Sequence, residues 1–100
     1  MVALIWSEPA LQDLDRIADY IALDKPEAAR NLVARVFEQV DALGRFPRLG
    51  TCPPELPDMP YRQLVIPPCR VFYRTEVKKI FILHVMRSEQ LLWPGYFDSD

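Results

Sequence analysis

Apolar residues recur along this chain with two periods, and the switches between them outline a fold. Residues 2–6 (Val2-Ala3-Leu4-Ile5-Trp6) alternate and include β-branched and aromatic side chains, which predicts a short strand. The spacing then lengthens. Leu11, Leu14, Ile17, Ala18 and Ile21 recur at three and four, the single stripe of an amphipathic helix. Ser7 stands before that stripe with a hydroxyl suited to cap the first free amides, and Glu8 and Pro9 suit a first turn. Asp13, Asp15 and Asp19 show no metal-loop spacing and are expected on a solvated helix face.

A break at Leu23-Asp24-Lys25-Pro26 separates this helix from a second one. Asp24 followed by Glu27 resembles a capping box, with Pro26 in the first turn. Ala29, Leu32, Val33, Val36, Phe37, Val40 and Leu43 then fall on one side. Phe37 sits mid-stripe, so truncating it to Ala is expected to cost roughly 3–5 kcal/mol. Gly44 and Pro47 end the helix. The short linker predicts an antiparallel helical hairpin.

Residues 45–60 contain Pro47, Pro53, Pro54, Pro57 and Pro60, which leaves an extended surface loop pinned by Phe46, Leu49, Leu56 and Met59. Strand-like runs follow at 61–66, 70–75 and 79–87. They are separated by Pro67-Pro68-Cys69 and Glu76-Val77-Lys78, short enough to be hairpin turns, so they predict an antiparallel meander. His84 alternates with Ile82 and Met86 and reads as a structural residue. The order is β-α-α-β-β-β: an α+β domain with a helical hairpin packed on a mainly antiparallel four-stranded sheet. Residues 1–100 form a single domain, with 93–100 an irregular aromatic tail.

Composition narrows the chemistry. The net charge of −2 gives no basic footprint, so direct DNA binding is not expected of the chain alone. Charge is nevertheless uneven: acidic residues predominate up to Gly44, and basic ones from Arg45 to Arg87. Cys52 and Cys69 form no C-x-x-C pair and His84 is the only histidine, which argues against zinc. Both thiols are read as reduced, partly buried small hydrophobes. No cofactor is implied. No basic segment precedes the first apolar residues, and no apolar run approaches the ~20 residues of a membrane span, so the expected location is cytoplasmic.

Several stretches, in order, resemble the RelE/ParE toxin superfamily over nearly the whole chain. They are Ile5-Trp6-Ser7-Glu8-Pro9-Ala10 with Asp13-Leu14, Ala18-Asp19-Tyr20-Ile21-Ala22, Ala28-Ala29-Arg30, and Leu43-Gly44-Arg45-Phe46-Pro47-Arg48-Leu49-Gly50. Arg70-Val71-Phe72-Tyr73-Arg74 and residues 80–85 complete the pattern. The resemblance implies a toxin held inactive by a cognate antitoxin, ParD-like or RelB-like. It also implies one of two activities: RelE-like members cut mRNA on the ribosome, and ParE-like members inhibit DNA gyrase.

Cleavage requires several cations converging on a phosphate, with an acid or base. Arg70 matches the superfamily's third-strand arginine. Beyond the last strand, however, Arg87 is followed by Glu89, and Tyr96 lies out of register past Pro94-Gly95. A ParE-like, non-enzymatic binder of gyrase is therefore expected, with Arg62, Arg70, Arg87, Trp93, Tyr96 and Phe97 as partner-contact candidates and no catalytic residue. The alternatives are a ribosome-dependent endoribonuclease using Arg70 and Arg87, or an inactive fold acting only as corepressor with its antitoxin. Arg70 is equally open to a structural role, paired with a helix carboxylate such as Asp19.

Overall fold

A computed structural model of the chain describes residues 2–92. The tail candidates Trp93, Tyr96 and Phe97 lie outside the described residues. The elements are β1 (Ala3–Trp6), α1 (Glu8–Ala22), α2 (Pro26–Asp41) with a 3-10 turn (Ala42–Gly44), β2 (Arg62–Ile66), β3 (Cys69–Thr75) and β4 (Lys79–Arg87). The sheet order is β1-β4-β3-β2. The meander pairs antiparallel, and β1 joins β4 in parallel. Helices and sheet thus form the expected α+β layers.

Ser7 is the joint between β1 and the helices. Its hydroxyl oxygen accepts from the Ala10 amide at 3.1 Å, the expected cap, and the same hydroxyl donates to the Leu83 carbonyl at 3.0 Å. Its own amide donates to the Ile82 carbonyl. The capping box predicted at Asp24 does not form: Lys25 occupies the cap position without a side-chain bond, and Pro26 opens the helix. Proline supplies a preset φ and lacks one of the free amides, so this helix start manages without an acidic cap.

The sheet carries a core on each face. On the helix side Ala10, Leu14, Leu32, Val36, Val40 and Leu43 meet Leu64, Ile66, Cys69, Val71, Tyr73, Ile80, Ile82 and Val85. On the opposite side a smaller cluster joins Phe72 and Met86 to Leu56 and Leu92, with Met59 and Tyr61 against it. The proline loop is therefore the cover of the second face. It is pinned by Leu56 and Met59, but Phe46 and Leu49 are exposed, contrary to expectation.

Other groups hold that loop instead. The Tyr73 hydroxyl donates to the Pro47 carbonyl at 3.0 Å and accepts from the Gly50 amide at 2.9 Å. Thr51 and Gln63 exchange backbone hydrogen bonds. Gly50 packs so closely that a Cβ there would collide with the Gln63 carbonyl and the Tyr73 ring, so only glycine fits.

Apolar positions on both helices depart from the sequence pattern; on α1, Leu11 of the predicted stripe is 42% exposed. Phe37 is 38% exposed and lies at the edge of the α2 stripe, packed against Trp6 with the rings tilted 47° and their centroids 4.9 Å apart. The buried line runs instead through Ala29, Leu32, Val36 and Val40; Phe37, one residue past Val36, is rotated ~100° from it. In β4 the register shifts, so that Phe72 faces His84 but Tyr73 faces Ile82. This bulge breaks the alternation read through Ile82, His84 and Met86. Ile82 belongs to the helix-side core and Met86 to the other.

Candidate protein-contact site

The three arginines singled out from the sequence have different surroundings, because strand parity sends them to different places. Arg70 lies opposite Met86, on the loop-covered face, with its guanidinium carbon 5.1 Å from the Phe72 ring centroid. Arg87 lies opposite Cys69, which belongs to the helix-side core, and it borders a cleft against α1. Arg62 is tied to the proline loop through a 2.6 Å hydrogen bond to the Gly50 carbonyl.

Arg70 is only 7% exposed. Its two terminal nitrogens donate to both Glu55 carboxylate oxygens, at 3.0 and 2.8 Å, a bidentate pair. Further bonds go to Gln63 Oε1 at 3.1 Å and to the Gln90 carbonyl. Glu55 also accepts from the Leu92 amide at 3.1 Å. The carboxylate that Arg70 meets is thus in the loop, not Asp19 on the helix. Its bond to Arg70, helped by the Leu92 amide, outweighs burial and holds the Glu55 carboxyl at about 2, against an ordinary 4.5. One buried pair fastens the loop, the sheet and the segment after β4 together.

On the helix side, Asp13 overturns the expectation of a solvated face. It is 9% exposed, and its Oδ2 accepts from the Val85 amide at 3.1 Å and sits 3.0 Å from His84 Nδ1. Its Oδ1 takes a 2.7 Å bond from Arg16. The carboxylate therefore bridges α1 to the strand just past the bulge, where the shifted register presents the Val85 amide to it. His84 has the structural role expected of it, with Asp13 as the partner.

Beside this bridge lies a cleft of about 430 Å³, lined by residues including Asp13, Arg16, Ile17, Tyr20, Met86 and Arg87. The Arg87 guanidinium stands 5.7 Å from the Tyr20 ring centroid, and its Nε donates to Glu89 at 2.8 Å. Tyr20 is 68% exposed, and Leu23 beyond it is exposed as well. Sequence reasoning found Arg87 but missed Arg16 and Tyr20 as its neighbours. Their spacing on α1, four apart, was the available signal.

Cys52 is exposed and Cys69 buried, both as free thiols; burial pushes the Cys69 thiol above its ordinary value. Among the described residues no group of three or more His, Cys, Asp or Glu side chains could hold a metal. Among the same residues no helix is long and apolar enough to cross a membrane.

The architecture, a helical hairpin on a four-stranded mixed sheet, is one that a toxin–antitoxin structure shares. A solved structure described as the chromosomal ParDE TA system from P. aeruginosa matches with a TM-score of 0.74 and 32% identity, over 89% of this chain and 98% of that one. The chain belongs to the ParE toxin family of type II toxin–antitoxin systems: the family model, described as the ParE toxin of the parDE system, matches residues 4–92. Two relatives carry toxin names. A Sinorhizobium fredii protein named "Putative toxin Y4kP" is 38% identical, over 89% of this chain and 90% of its own length. Toxin RelE2 of Caulobacter vibrioides is 29% identical, over 91% of this chain and all of its own.

Proposed function

We propose that this toxin acts by protein contact, inhibiting DNA gyrase without turnover, and that a cognate antitoxin neutralises it. The observation that carries this reading is the divergence of Arg70 and Arg87. They lie on opposite faces of the sheet, and each is already bonded to a carboxylate, Glu55 and Glu89 respectively. Phosphoryl transfer needs cations that converge on one developing charge. Among the described residues these two do not converge, and the net charge of −2 supplies no field to hold RNA.

A binding inhibitor needs only a complementary surface. The exposed Tyr20 and Leu23 at the tip of the helical hairpin, with Arg87 beside them, offer an aromatic, an aliphatic and a cationic contact. Of the candidates named from the sequence, Arg87 is retained as a partner contact. Arg70 and Arg62 are assigned to holding the loop. An antitoxin that covers the toxin should bury at least ~1,000 Å², the usual scale for a specific interface.

Purified toxin should block supercoiling by gyrase and leave ribosome-bound mRNA intact. Arg87→Ala should weaken the block at unchanged thermal stability. Codon-resolved mRNA cleavage with supercoiling untouched would replace this reading with the endoribonuclease one.

A further inference from the structure

We infer that the cleft between α1 and the end of β4 is a docking site for a protein segment carrying a carboxylate side chain next to an apolar one. Arg16 and Arg87 would receive the carboxylate, and Tyr20 with Leu23 the apolar neighbour. The inference rests on the reading of this toxin as a protein binder and names the surface through which it binds.

The donors are available. Arg16 is exposed along most of its side chain and commits one terminal nitrogen to Asp13. Arg87 commits Nε to Glu89, and among the described residues its two terminal nitrogens bond no protein group. A guanidinium has five N–H donors, so both arginines keep capacity for a carboxylate. Asp13 does not compete for them as a free acid, because its oxygens already take the Val85 amide, His84 and Arg16.

The remaining walls suit a peptide. Ile17 lines the cleft with partly exposed apolar surface over the buried Val85 and Met86, and Tyr20 also lines a second depression with Ile21 and Leu23. A carboxylate held at the arginines would therefore place a neighbouring apolar side chain against Tyr20 and Leu23.

Charge balance selects a single carboxylate over a nucleic-acid strand. Asp13 and Glu89 offset Arg16 and Arg87 one for one, so the region is near neutral overall. A run of phosphates would meet those two acids and find too few cations, whereas one carboxylate can bond the free edges of both guanidiniums.

Fluorescence anisotropy tests this with the purified chain and a short fluorescein-labelled peptide alternating Glu and Leu. A Lys–Leu peptide and a labelled oligouridylate serve as counter-probes. The Glu–Leu peptide should bind more tightly than either. Its affinity should fall about tenfold or more with Arg16→Ala or Arg87→Ala, fall several-fold with Tyr20→Ala, and weaken with salt. Arg16→Lys should retain more binding than Arg16→Ala. Arg30→Ala, which removes another exposed helix arginine paired to a carboxylate, should change nothing.

Thermal melting should show every variant folded. If Arg16→Ala unfolds through loss of its bond to Asp13, Arg87→Ala and Tyr20→Ala decide alone. The inference is overturned by no binding of the Glu–Leu peptide up to about 1 mM, by equal binding of the Lys–Leu peptide, or by oligouridylate binding lost in these variants. The outcome is separable from the gyrase reading. Peptide binding with the stated sensitivities stands even if supercoiling proves unaffected, and failure of the peptide to bind removes the site while leaving gyrase inhibition intact.

Discussion

The two faces of the sheet are held by different physics. On the helix face, α1 and α2 lay aliphatic stripes over Ile80, Ile82, Val85, Val71 and Tyr73, and Asp13 is the buried acid among them. On the loop face the apolar cluster is small, and the central feature is the Glu55–Arg70 pair. A proline-rich loop has no repeating stripe with which to cover a sheet, so specific hydrogen bonds replace the missing apolar area. The helix face should therefore dominate stability, and the loop face should show the sensitivity to pH.

The largest effect should come from the helix face. Leu32 is 1% exposed in the middle of the core, and Leu32→Ala should cost about 2–5 kcal/mol, read as a fall in the urea midpoint. An unchanged midpoint would mean that the helices contribute less than their packing implies.

The loop face should respond to acid. The folded state holds the Glu55 carboxyl at about 2, below its ordinary 4.5. A depressed folded value means the pair stabilises fully above about pH 4.5 and loses that stabilisation as pH falls towards 2. The loss should be on the order of 2 kcal/mol, discounted for partial solvent access. Urea melts at pH 7 and pH 3 should show a shallower pH dependence in Glu55→Gln than in the parent. Equal slopes would place the acid sensitivity elsewhere.

The smallest effect belongs to the margin between stripe and solvent. Phe37→Ala loses a half-exposed ring and its contact with Trp6, a cost of about 1 kcal/mol. A loss as large as that for Leu32→Ala would restore Phe37 to the core.

The contrast between the faces also explains what could be read from sequence. The Ser7 cap, both helices and the three-stranded meander were legible, because each follows from local spacing and turn chemistry. Phe37 was misplaced because an apolar stripe of seven residues from Ala29 to Leu43 does not say which edge meets solvent. Asp13 was read as solvated because its partners, His84 and the Val85 amide, lie at the other end of the chain and are reached only through the β4 bulge. Asp19 was a reasonable partner for Arg70 on charge alone. The true one, Glu55, sits in the loop, whose path over the sheet no periodic pattern encodes. The candidate site was half legible: Arg87 was named, whereas Arg16 and Tyr20 join it only once α1 crosses the end of β4.

Contact rather than cleavage is most directly tested by removing Arg70, which a nuclease reading needs and the fold has buried in a bidentate pair. Arg70→Met alone would strand Glu55, so both charges should be replaced together. A buried ion pair exchanged for apolar side chains of similar size is often tolerated. The measurement is a gyrase supercoiling titration with the parent and the folded Glu55→Met/Arg70→Met variant. Half-maximal inhibition should occur at similar toxin concentrations for both. A parent that leaves supercoiling untouched while cutting ribosome-bound mRNA, with cleavage lost in the folded double variant, would contradict the account and make Arg70 catalytic.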